Sequence, residues 1–293
     1  MRIAVLRGGP SAHYENSLKT GGHVLSLLRE MPEKYEPVDV FISKNGEWHI
    51  MGRRQDPQKA LIHIDLVWNA LHGNYGEDGE VSRLLSNLNM PHTGSGTLGL
   101  TISFSKDLAK NIYAKSGLLT PKHEVVTHDA SLDDLLHIFR TYVHPVMVKP
   151  VHGRFSLGEE MVHSFEELKH AVAGAFSHAE RVMVEEYIRG TEASCAVMER
   201  FRDQDLYTLI PSPNEFKPSI HKQIEHMARE AHKSLGLRHY SSSDFVVTSK
   251  GRIYILETNA LPEFDQDSAL SASLSSVGIS PKEFIEHVVS LAV

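Results

Sequence analysis

IAVLRGGPSAHYENSLKTGGHVLSLLR, from Ile3 to Arg29, decides the architecture of the first part of the chain. Ile3 to Leu6 is a short apolar run typical of a buried strand, and the turn residues Gly8 and Gly9 follow it. From about Glu15 to Arg29 the apolar residues recur at helical spacing. The stretch therefore predicts a strand, a tight turn and a helix.

Two further apolar runs extend this unit into a sheet. Pro37 to Ile42 is a second predicted strand, and Leu66 to Leu71 is a third that leads into HGNYGEDGE and a helix from Val81 to Asn87. Strands that alternate with helices predict a parallel sheet, whose functional loops lie at the carboxyl ends of the strands. We therefore expect His72 and the loop after Gly8 at the same edge.

The middle third also alternates helices and strands. We predict a helix from Ser105 to Lys115, a strand from Pro145 to Pro150, a loop from Val151 to Gly158, a helix from Ser164 to Phe176 and a strand from Arg181 to Ile188. Ser164 is followed three residues later by a glutamate, which is the pattern of a capping box.

The last third contains two predicted strands that carry acids. After a helix from about Ile220 to Leu235, the runs Asp244 to Thr248 and Ile253 to Leu256 flank a Ser-Lys-Gly turn and predict a hairpin. A helix from Pro281 to Leu291 closes the chain.

Composition limits the function classes. A chain of 293 residues with 41% hydrophobic residues can bury the cores of two or three compact units. Thirty Lys and Arg against 37 Asp and Glu leave a net charge of -7. That balance argues against a broad surface that binds nucleic acid or an anionic membrane, but it is compatible with a local basic pocket.

Cysteine and histidine usage narrows the classes further. Cys195 is the only cysteine, so an intramolecular disulfide is excluded and a reducing compartment is favoured. With no apolar run of about 18 residues and no basic leader before IAVL, we expect a cytoplasmic protein. The 19 histidines are scattered and show no HExxH spacing, which argues against a zinc site.

The acids of the predicted hairpin are candidates for a metal site. Asp244, Glu257 and Asn259 lie on or beside two strands joined by a tight turn, so their oxygens can converge on a magnesium ion that also holds phosphates. Lys106 and Lys149 could neutralise the same phosphates. Taken singly, the acids are better explained as solvated strand-end acids and the lysines as ordinary surface cations, whereas the whole set favours the metal site.

Glu185 and Glu192 follow the apolar run VMV. One interpretation is a strand-end charge for Glu185 and a loop charge for Glu192. The sharper hypothesis is a hinge at which these acids lie beside the adenine or ribose of a nucleotide.

The chain resembles the D-alanine:D-alanine ligases, of which it is a divergent member, along nearly its whole length. The stretches that carry the resemblance occur in the family's order and approximate spacing: LRGGPSAHYENS, NALHGNYGEDGEV, HTGSG, SFSKDLAK, VMVKP, VMVEEYIRGTE, SDFVV and IYILETNALPEF. The first two are highly specific, whereas KP or ExN alone would be weak.

The resemblance implies an ATP-grasp fold of mixed α/β and α+β class. It implies a Rossmann-like, parallel-sheet domain at residues 1–95, a central subdomain at 96–184 and a C-terminal subdomain at 185–293. The last two carry the antiparallel sheets that clasp ATP. It also implies cell-wall peptidoglycan synthesis, small amino-acid substrates such as D-alanine, and a possible homodimer.

The family's site residues carry over position by position. Lys106 and Lys149 match the phosphate-binding lysines; Glu185, Glu186 and Ile188 match the adenine hinge, and Glu192 the ribose contact. Asp244, Glu257 and Asn259 match the ligands of Mg²⁺ or Mn²⁺. Glu15 matches the acid that fixes the ammonium of the first amino acid, His72 the histidine near its carboxylate, and Ser268 the serine for the second carboxylate. Ser156 lies in the phosphate-covering loop.

Several positions depart from the family. Ser242 stands where the family has an arginine two residues before the first metal ligand, and Glu263 replaces the glycine after NxLP. Both positions normally help to hold an oxyanion. Phe155 replaces the first serine of the phosphate-covering loop, and the segment from Tyr207 to Pro218 is too short for the family's substrate-covering loop.

These departures leave three alternatives open. The first is a ligase with another acceptor, marked by Ser242, Glu263 and the run from Asp265 to Asp267. The second is a degenerate ligase retained for nucleotide binding, and the third is a metal-binding or redox enzyme suggested only by the histidines. Arg154 or Arg238 could replace the missing arginine, or be ordinary surface cations.

Overall fold

The computed structural model describes residues 1–153 and 158–293. Its strands form one five-stranded sheet and two four-stranded sheets. The chain divides into two compact units: residues 1–101, 194–243 and 258–293 form unit 1, and residues 102–193 and 244–257 form unit 2.

Unit 1 begins with the predicted strand, turn and helix. The strands β1 (Arg2–Gly8), β2 (Glu36–Ile42), β3 (Trp48–Ile50), β4 (Arg53–Gln55) and β5 (Leu66–Asn69) form a sheet of order β4-β3-β2-β1-β5. β1 pairs in parallel with β2 and β5, as predicted, whereas β3 and β4 add an antiparallel edge that we did not predict.

Both faces of this sheet are buried, because successive side chains of a strand point to opposite faces. Ile3 and Val5 of β1 pack in one apolar cluster, which includes Phe264 and Phe284. Ala4 and Leu6 pack in another, on the opposite face. The helices of this part of the chain are α1 (Tyr14–Arg29), α2 (Pro57–Ala60), α3 (Glu80–Asn87) and α4 (Thr97–Phe104).

A four-stranded antiparallel sheet lies within unit 2. It has the order β6-β9-β7-β8, and the elements of this part are α5 (Lys106–Lys115), β6 (His123–Thr127), α6 (Leu132–Thr141), β7 (Val146–Pro150), β8 (Glu160–Val162), α7 (Phe165–Ala175) and β9 (Arg181–Glu186). Val146, Val148, Val182 and Val184 belong to its apolar core. Ser164 caps α7 as predicted, because its hydroxyl accepts the Glu167 N–H at 3.3 Å.

The third sheet has the order β11-β10-β12-β13. Its elements and the remaining helices are β10 (Thr191–Phe201), β11 (Gln204–Thr208), α8 (Pro218–Ser234), β12 (Tyr240–Val247), β13 (Ile253–Asn259), α9 (Ala269–Ser276) and α10 (Pro281–Ala292). β12 and β13 are neighbours, which confirms the predicted hairpin. One parallel-containing sheet and two antiparallel sheets agree with the predicted fold class.

The division into domains at 1–95, 96–184 and 185–293 stays a prediction. Within the described parts of the chain, no helix is long and apolar enough to cross a membrane.

Candidate active site

Lys106 is the first residue of α5, and its side chain is fixed by two oxygens of unit 2. Its ammonium donates to the Gly153 carbonyl oxygen at 2.6 Å and lies 3.4 Å from Glu257 Oε2. The side chain is 7% exposed. A candidate phosphate-binding cation and a candidate metal ligand are therefore neighbours.

Lys149 and Glu185 lie on the adjacent strands β7 and β9. The Lys149 ammonium is 2.6 Å from Glu185 Oε1 and 3.8 Å from Glu159 Oε2. Glu185 is only 2% exposed. Because its carboxylate is engaged in this way, the contact predicted for Glu185 with adenine would have to use its backbone.

Lys110 is a residue of this cluster that the sequence reasoning missed. Its ammonium lies 2.8 Å from Glu185 Oε2 and donates to Thr120 Oγ1 at 3.2 Å. Lys110 follows Lys106 by four positions on α5, so the two side chains share one face of the helix. That spacing was the available signal, but a fully buried lysine is too rare to be expected from sequence alone.

The lysines decide the ionisation of Glu185. Burial by itself would raise the pKa of this carboxyl, but the Lys110 and Lys149 ammonium groups outweigh it and lower the pKa to about 2. Burial likewise opposes the charge of Lys149, yet the Glu185 and Glu159 carboxylates raise its pKa above the usual range. Burial lowers the pKa of Lys110, and Glu185 opposes that effect. Glu185 is thus a carboxylate shared by two lysines.

The candidate metal ligands Asp244 and Glu257 lie on β12 and β13. Ser243 Oγ and Thr258 Oγ1 are 2.8 Å apart on the buried side of these strands. Asp244 follows Ser243 and Glu257 precedes Thr258, so the alternation of side chains turns both acids to the other face of these strands. Asn259 shares the face of Glu257, two residues farther along β13.

This donor set suits a hard divalent cation. Two carboxylates and an amide oxygen are the ligand types that Mg²⁺ takes from proteins, with phosphates and water completing the octahedron. In residues 1–153 and 158–293, no group of three His, Cys, Asp or Glu side chains could hold a metal. The residues present fit a metal that is shared with a nucleotide.

The rest of the predicted nucleotide site follows β9. Glu186 ends that strand, and its N–H donates to the Lys122 carbonyl oxygen at 2.9 Å. Ile188 lies in the connection to β10, and Glu192 is an exposed second residue of β10. Between them, a Cβ at Gly190 would lie 2.4 Å from the Val247 carbonyl oxygen, so this close passage requires glycine. Ser156 and Arg154 lie outside the described residues.

Unit 1 contains the residues that we predict to bind the amino acids. Glu15 is an exposed acid in the first turn of α1, where the helix dipole stabilises a negative charge. His72 is 1% exposed and follows β5 closely. Its Nε2 lies 2.9 Å from Thr20 Oγ1, and that oxygen also accepts the Phe264 N–H at 3.4 Å. Thr20, which we did not predict, therefore links α1 to His72 and to the segment after β13.

Ser268 is the N-cap of α9. Its hydroxyl accepts the Ser271 N–H at 3.2 Å and donates to the Asp265 carbonyl oxygen at 2.9 Å. The residue is 7% exposed. This serine is thus tied to a helix start, and its predicted contact with a second carboxylate stays a prediction.

The two departures from the family pattern also lie in unit 1. Ser242 lies on β12, two residues before Asp244. Glu263 accepts a hydrogen bond from the side-chain amide of Asn16, the neighbour of Glu15 on α1. Arg238 is exposed, and its backbone N–H donates to Ser95 Oγ at 3.0 Å.

Known proteins match this chain over its whole length. A family model described as D-ala D-ala ligase C-terminus matches residues 112–211 and 202–290. A D-alanine–D-alanine ligase from Geobacter sulfurreducens is 33% identical, and the match covers 98% of this chain and 92% of that protein.

Two solved structures are similar in fold. A D-Ala:D-Ser ligase from Enterococcus faecalis has a TM-score of 0.89 at 24% identity, with 100% of this chain and 99% of that chain covered. A D-alanine–D-alanine ligase from Bacillus anthracis, complexed with ATP, has a TM-score of 0.82 at 26% identity. That match covers 100% of this chain and 96% of the other.

Proposed function

The chain belongs to the D-alanine–D-alanine ligase family, and on that premise we propose that it joins two molecules of D-alanine into a dipeptide. It is an ATP-dependent carboxylate–amine ligase. In the proposed reaction the carboxylate of the first D-alanine attacks the γ-phosphorus of ATP, and ADP leaves. The amine of the second D-alanine then attacks the acyl carbon of this acyl phosphate, and inorganic phosphate leaves.

The lysines of unit 2 and the polar side chains of β12 and β13 support the phosphoryl-transfer half of this proposal. Lys106 and Lys149 would hold the phosphates, while Asp244, Glu257 and Asn259 would hold Mg²⁺, for which we expect Mn²⁺ to substitute. A bound divalent cation neutralises charge on the transferred phosphoryl group. The observation that carries the proposal is the 3.4 Å contact between Lys106 Nζ and Glu257 Oε2, which brings the two functions together.

The side chains of unit 1 support the amino-acid half. Glu15 would bind the ammonium group of the first amino acid, and His72, positioned by Thr20, would lie near its carboxylate. A hydroxyl held between a histidine nitrogen and a backbone N–H limits the orientations of the ring. Ser268 would contribute to the second carboxylate from the start of α9.

One observation favours an alternative function, in which the acceptor is an amino acid other than D-alanine. Glu263 is held by Asn16 at the start of α1, so a carboxylate stands at a position where the family's glycine brings no charge. We therefore keep a ligase with a different acceptor amino acid as the second candidate.

The test is a screen of D- and L-amino acids, singly and in pairs, with phosphate release and product mass as readouts. D-alanine alone should give the largest ATP- and magnesium-dependent phosphate release, together with a dialanine product. Release that needs an unlike partner would favour the second candidate. A folded chain that releases no phosphate with any amino acid would contradict both.

Membership of the family also supports a proposal about where the protein acts, how it assembles and which pathway it serves. We propose a cytoplasmic homodimer that supplies a dipeptide for peptidoglycan. Sedimentation of the purified chain at the mass of a monomer, over a wide concentration range, would contradict the dimer.

A further inference from the structure

Lys110 is a buried cation that the proposed reaction leaves without a role. Its side chain is 1% exposed. The contacts of its ammonium group are Glu185 Oε2 at 2.8 Å and Thr120 Oγ1 at 3.2 Å. Because the group is buried, we expect it to act on a ligand through these neighbours rather than by direct contact.

The first neighbour couples Lys110 to Lys149. Each oxygen of the Glu185 carboxylate faces one of the two ammonium groups, at 2.8 Å for Lys110 and 2.6 Å for Lys149. These three groups together carry one net positive charge, and the carboxylate of Glu159 lies farther from Lys149, at 3.8 Å. Without Lys110, Glu185 would cancel the charge of Lys149, which is the more exposed lysine at 12%.

The second neighbour couples Lys110 to β13. Thr120 donates its hydroxyl to the Ile255 carbonyl oxygen at 2.9 Å, and the Ile255 N–H donates to the Leu119 carbonyl oxygen at 2.8 Å. Ile255 precedes Glu257 by two residues on the same strand. Lys110 therefore connects the helix that carries Lys106 with the strands that carry Glu185 and Glu257.

We propose that Lys110 is a positioning residue for nucleotide binding: it neutralises Glu185, so that the positive charge of Lys149 stays available to the phosphates of Mg-ATP. This inference rests on the proposed function of the same site. It assigns to α5 a second lysine that never touches the nucleotide but sets the charge which the nucleotide meets.

The test compares Lys110→Met with the double variant Lys110→Met, Glu185→Gln. Methionine keeps the length of the lysine stem and removes its charge, so the magnesium-dependent affinity for ATP should fall roughly 10- to 100-fold. The double variant removes one charge of each sign and restores the net positive charge beside Lys149. It should recover most of the lost affinity, although both variants lack the Lys110 ammonium.

Calorimetric titration of each chain with Mg-ATP gives the dissociation constants. The matched control is Lys169→Met, which removes an exposed i,i+3 ion pair with Glu166 on α7 and should leave the affinity unchanged. An affinity in Lys110→Met equal to that of the natural chain would overturn the proposal. So would a double variant that binds no better than Lys110→Met.

Binding of Mg-ATP by a charge-keeping variant and a crystal structure of Lys110→Met test the same coupling independently. If Lys110→Met does not fold, Lys110→Arg, which keeps the charge, should bind Mg-ATP within a few-fold of the natural chain, and a larger loss contradicts the proposal. A crystal structure of nucleotide-free Lys110→Met should place Lys149 Nζ between both oxygens of Glu185. An unmoved Lys149 would refute the coupling, whereas absence of Mg-ATP binding by the natural chain would instead refute the proposed function.

Discussion

Glu257 lies on β13 with its carboxylate beside the Lys106 ammonium. We predict that Glu257→Gln leaves the nucleotide-free chain nearly as stable as the natural one, because glutamine keeps the shape of the side chain and Lys106 keeps its hydrogen bond to the Gly153 carbonyl oxygen. The thermal stabilisation by Mg-ATP should fall sharply, since ligand stabilisation follows the affinity. Thermal unfolding with and without Mg-ATP measures both, and Glu166→Gln on α7 serves as the control. Undiminished stabilisation in Glu257→Gln would remove Glu257 from the metal site.

Glu15 gives a prediction about the amino acid rather than the nucleotide. Glu15→Gln removes the charge that would hold a substrate ammonium, so the KM for the first amino acid should rise far more than the KM for ATP. Steady-state kinetics with each substrate varied in turn makes the comparison. Glu283→Gln, an acid in the first turn of α10, is the control. Equal changes in both constants would count against an ammonium-binding role.

Ser242 and Glu263 predict a weak D-alanine activity in the natural chain. Loss of one oxyanion donor costs about 3 kcal/mol, or roughly a hundredfold to a thousandfold in rate. Ser242→Arg should therefore raise D-alanine-dependent ADP formation, and addition of Glu263→Gly should raise it further by removing a nearby negative charge. A fast natural enzyme that neither change accelerates would show that another group already fills this role.

The sequence predicted the charged residues of the candidate site better than it predicted which residues they contact. Lys149, Glu185 and Glu257 could be named because each ends or follows an apolar run, and Lys106 because it lies at the start of a predicted helix. The sharing of Glu185 between two lysines could not, because Lys110 looks in sequence like a solvated helix position. The link from Thr20 to His72 depends on a tertiary contact between residues 52 positions apart.

Among the elements, short antiparallel edges escaped prediction. The β3–β4 hairpin turns at Met51 and Gly52, with φ of 50° and 74°. Two central residues with positive φ are typical of a type I′ turn, but the usual signal is Asn-Gly rather than Met-Gly. The long helices α1, α5, α7 and α8 were predicted to within a few residues, since each carries a sustained helical period.

His239, which lies between α8 and β12, predicts that the free energy of unfolding depends on pH. Glu199 Oε2 accepts the backbone N–H of His239 at 2.7 Å, and the ring nitrogen Nδ1 of His239 accepts the backbone N–H of Gly94 at 3.0 Å. Burial first, and the charge of Arg238 next, lower the pKa of His239 to about 4, although Glu199 opposes them. His92 and His232 also face this ring and lower its pKa slightly.

The sign follows from proton binding. The unfolded chain, with an ordinary histidine pKa of 6.5, binds the additional proton between pH 6.5 and about 4. The contribution of His239 to the free energy of unfolding should be fully present above pH 6.5. It should be lost as the pH drops towards 4, which lowers the free energy of unfolding by about 3 kcal/mol at most. Chemical unfolding across this range tests it, with His239→Asn as the comparison because asparagine tolerates the positive φ at this position. A natural chain with an unchanged free energy of unfolding from pH 7 to 4.5 would contradict the prediction.

For the whole molecule, the sequence predicted the fold class because strand and helix periods agreed with ordered family motifs. It could not predict that compact units would draw on three and two separate stretches of chain, since that depends on long-range pairing. Unit 2 carries the lysines, Asp244 and Glu257, whereas unit 1 carries Glu15, His72 and Asn259. The candidate residues for phosphoryl transfer therefore lie mainly in unit 2, and those for amino-acid binding lie in unit 1.

The most direct test of the ligase mechanism uses D-alanine whose carboxyl oxygens are a heavy isotope. If the carboxylate attacks ATP and the amine then displaces phosphate, one heavy oxygen must pass from D-alanine to each inorganic phosphate. Mass spectrometry of the phosphate formed with magnesium, ATP and labelled D-alanine should therefore find one heavy oxygen per phosphate, in step with dialanine. Phosphate without a heavy oxygen, with three oxygens from ATP and the fourth from water, would mean hydrolysis of ATP and would contradict the acyl-phosphate account.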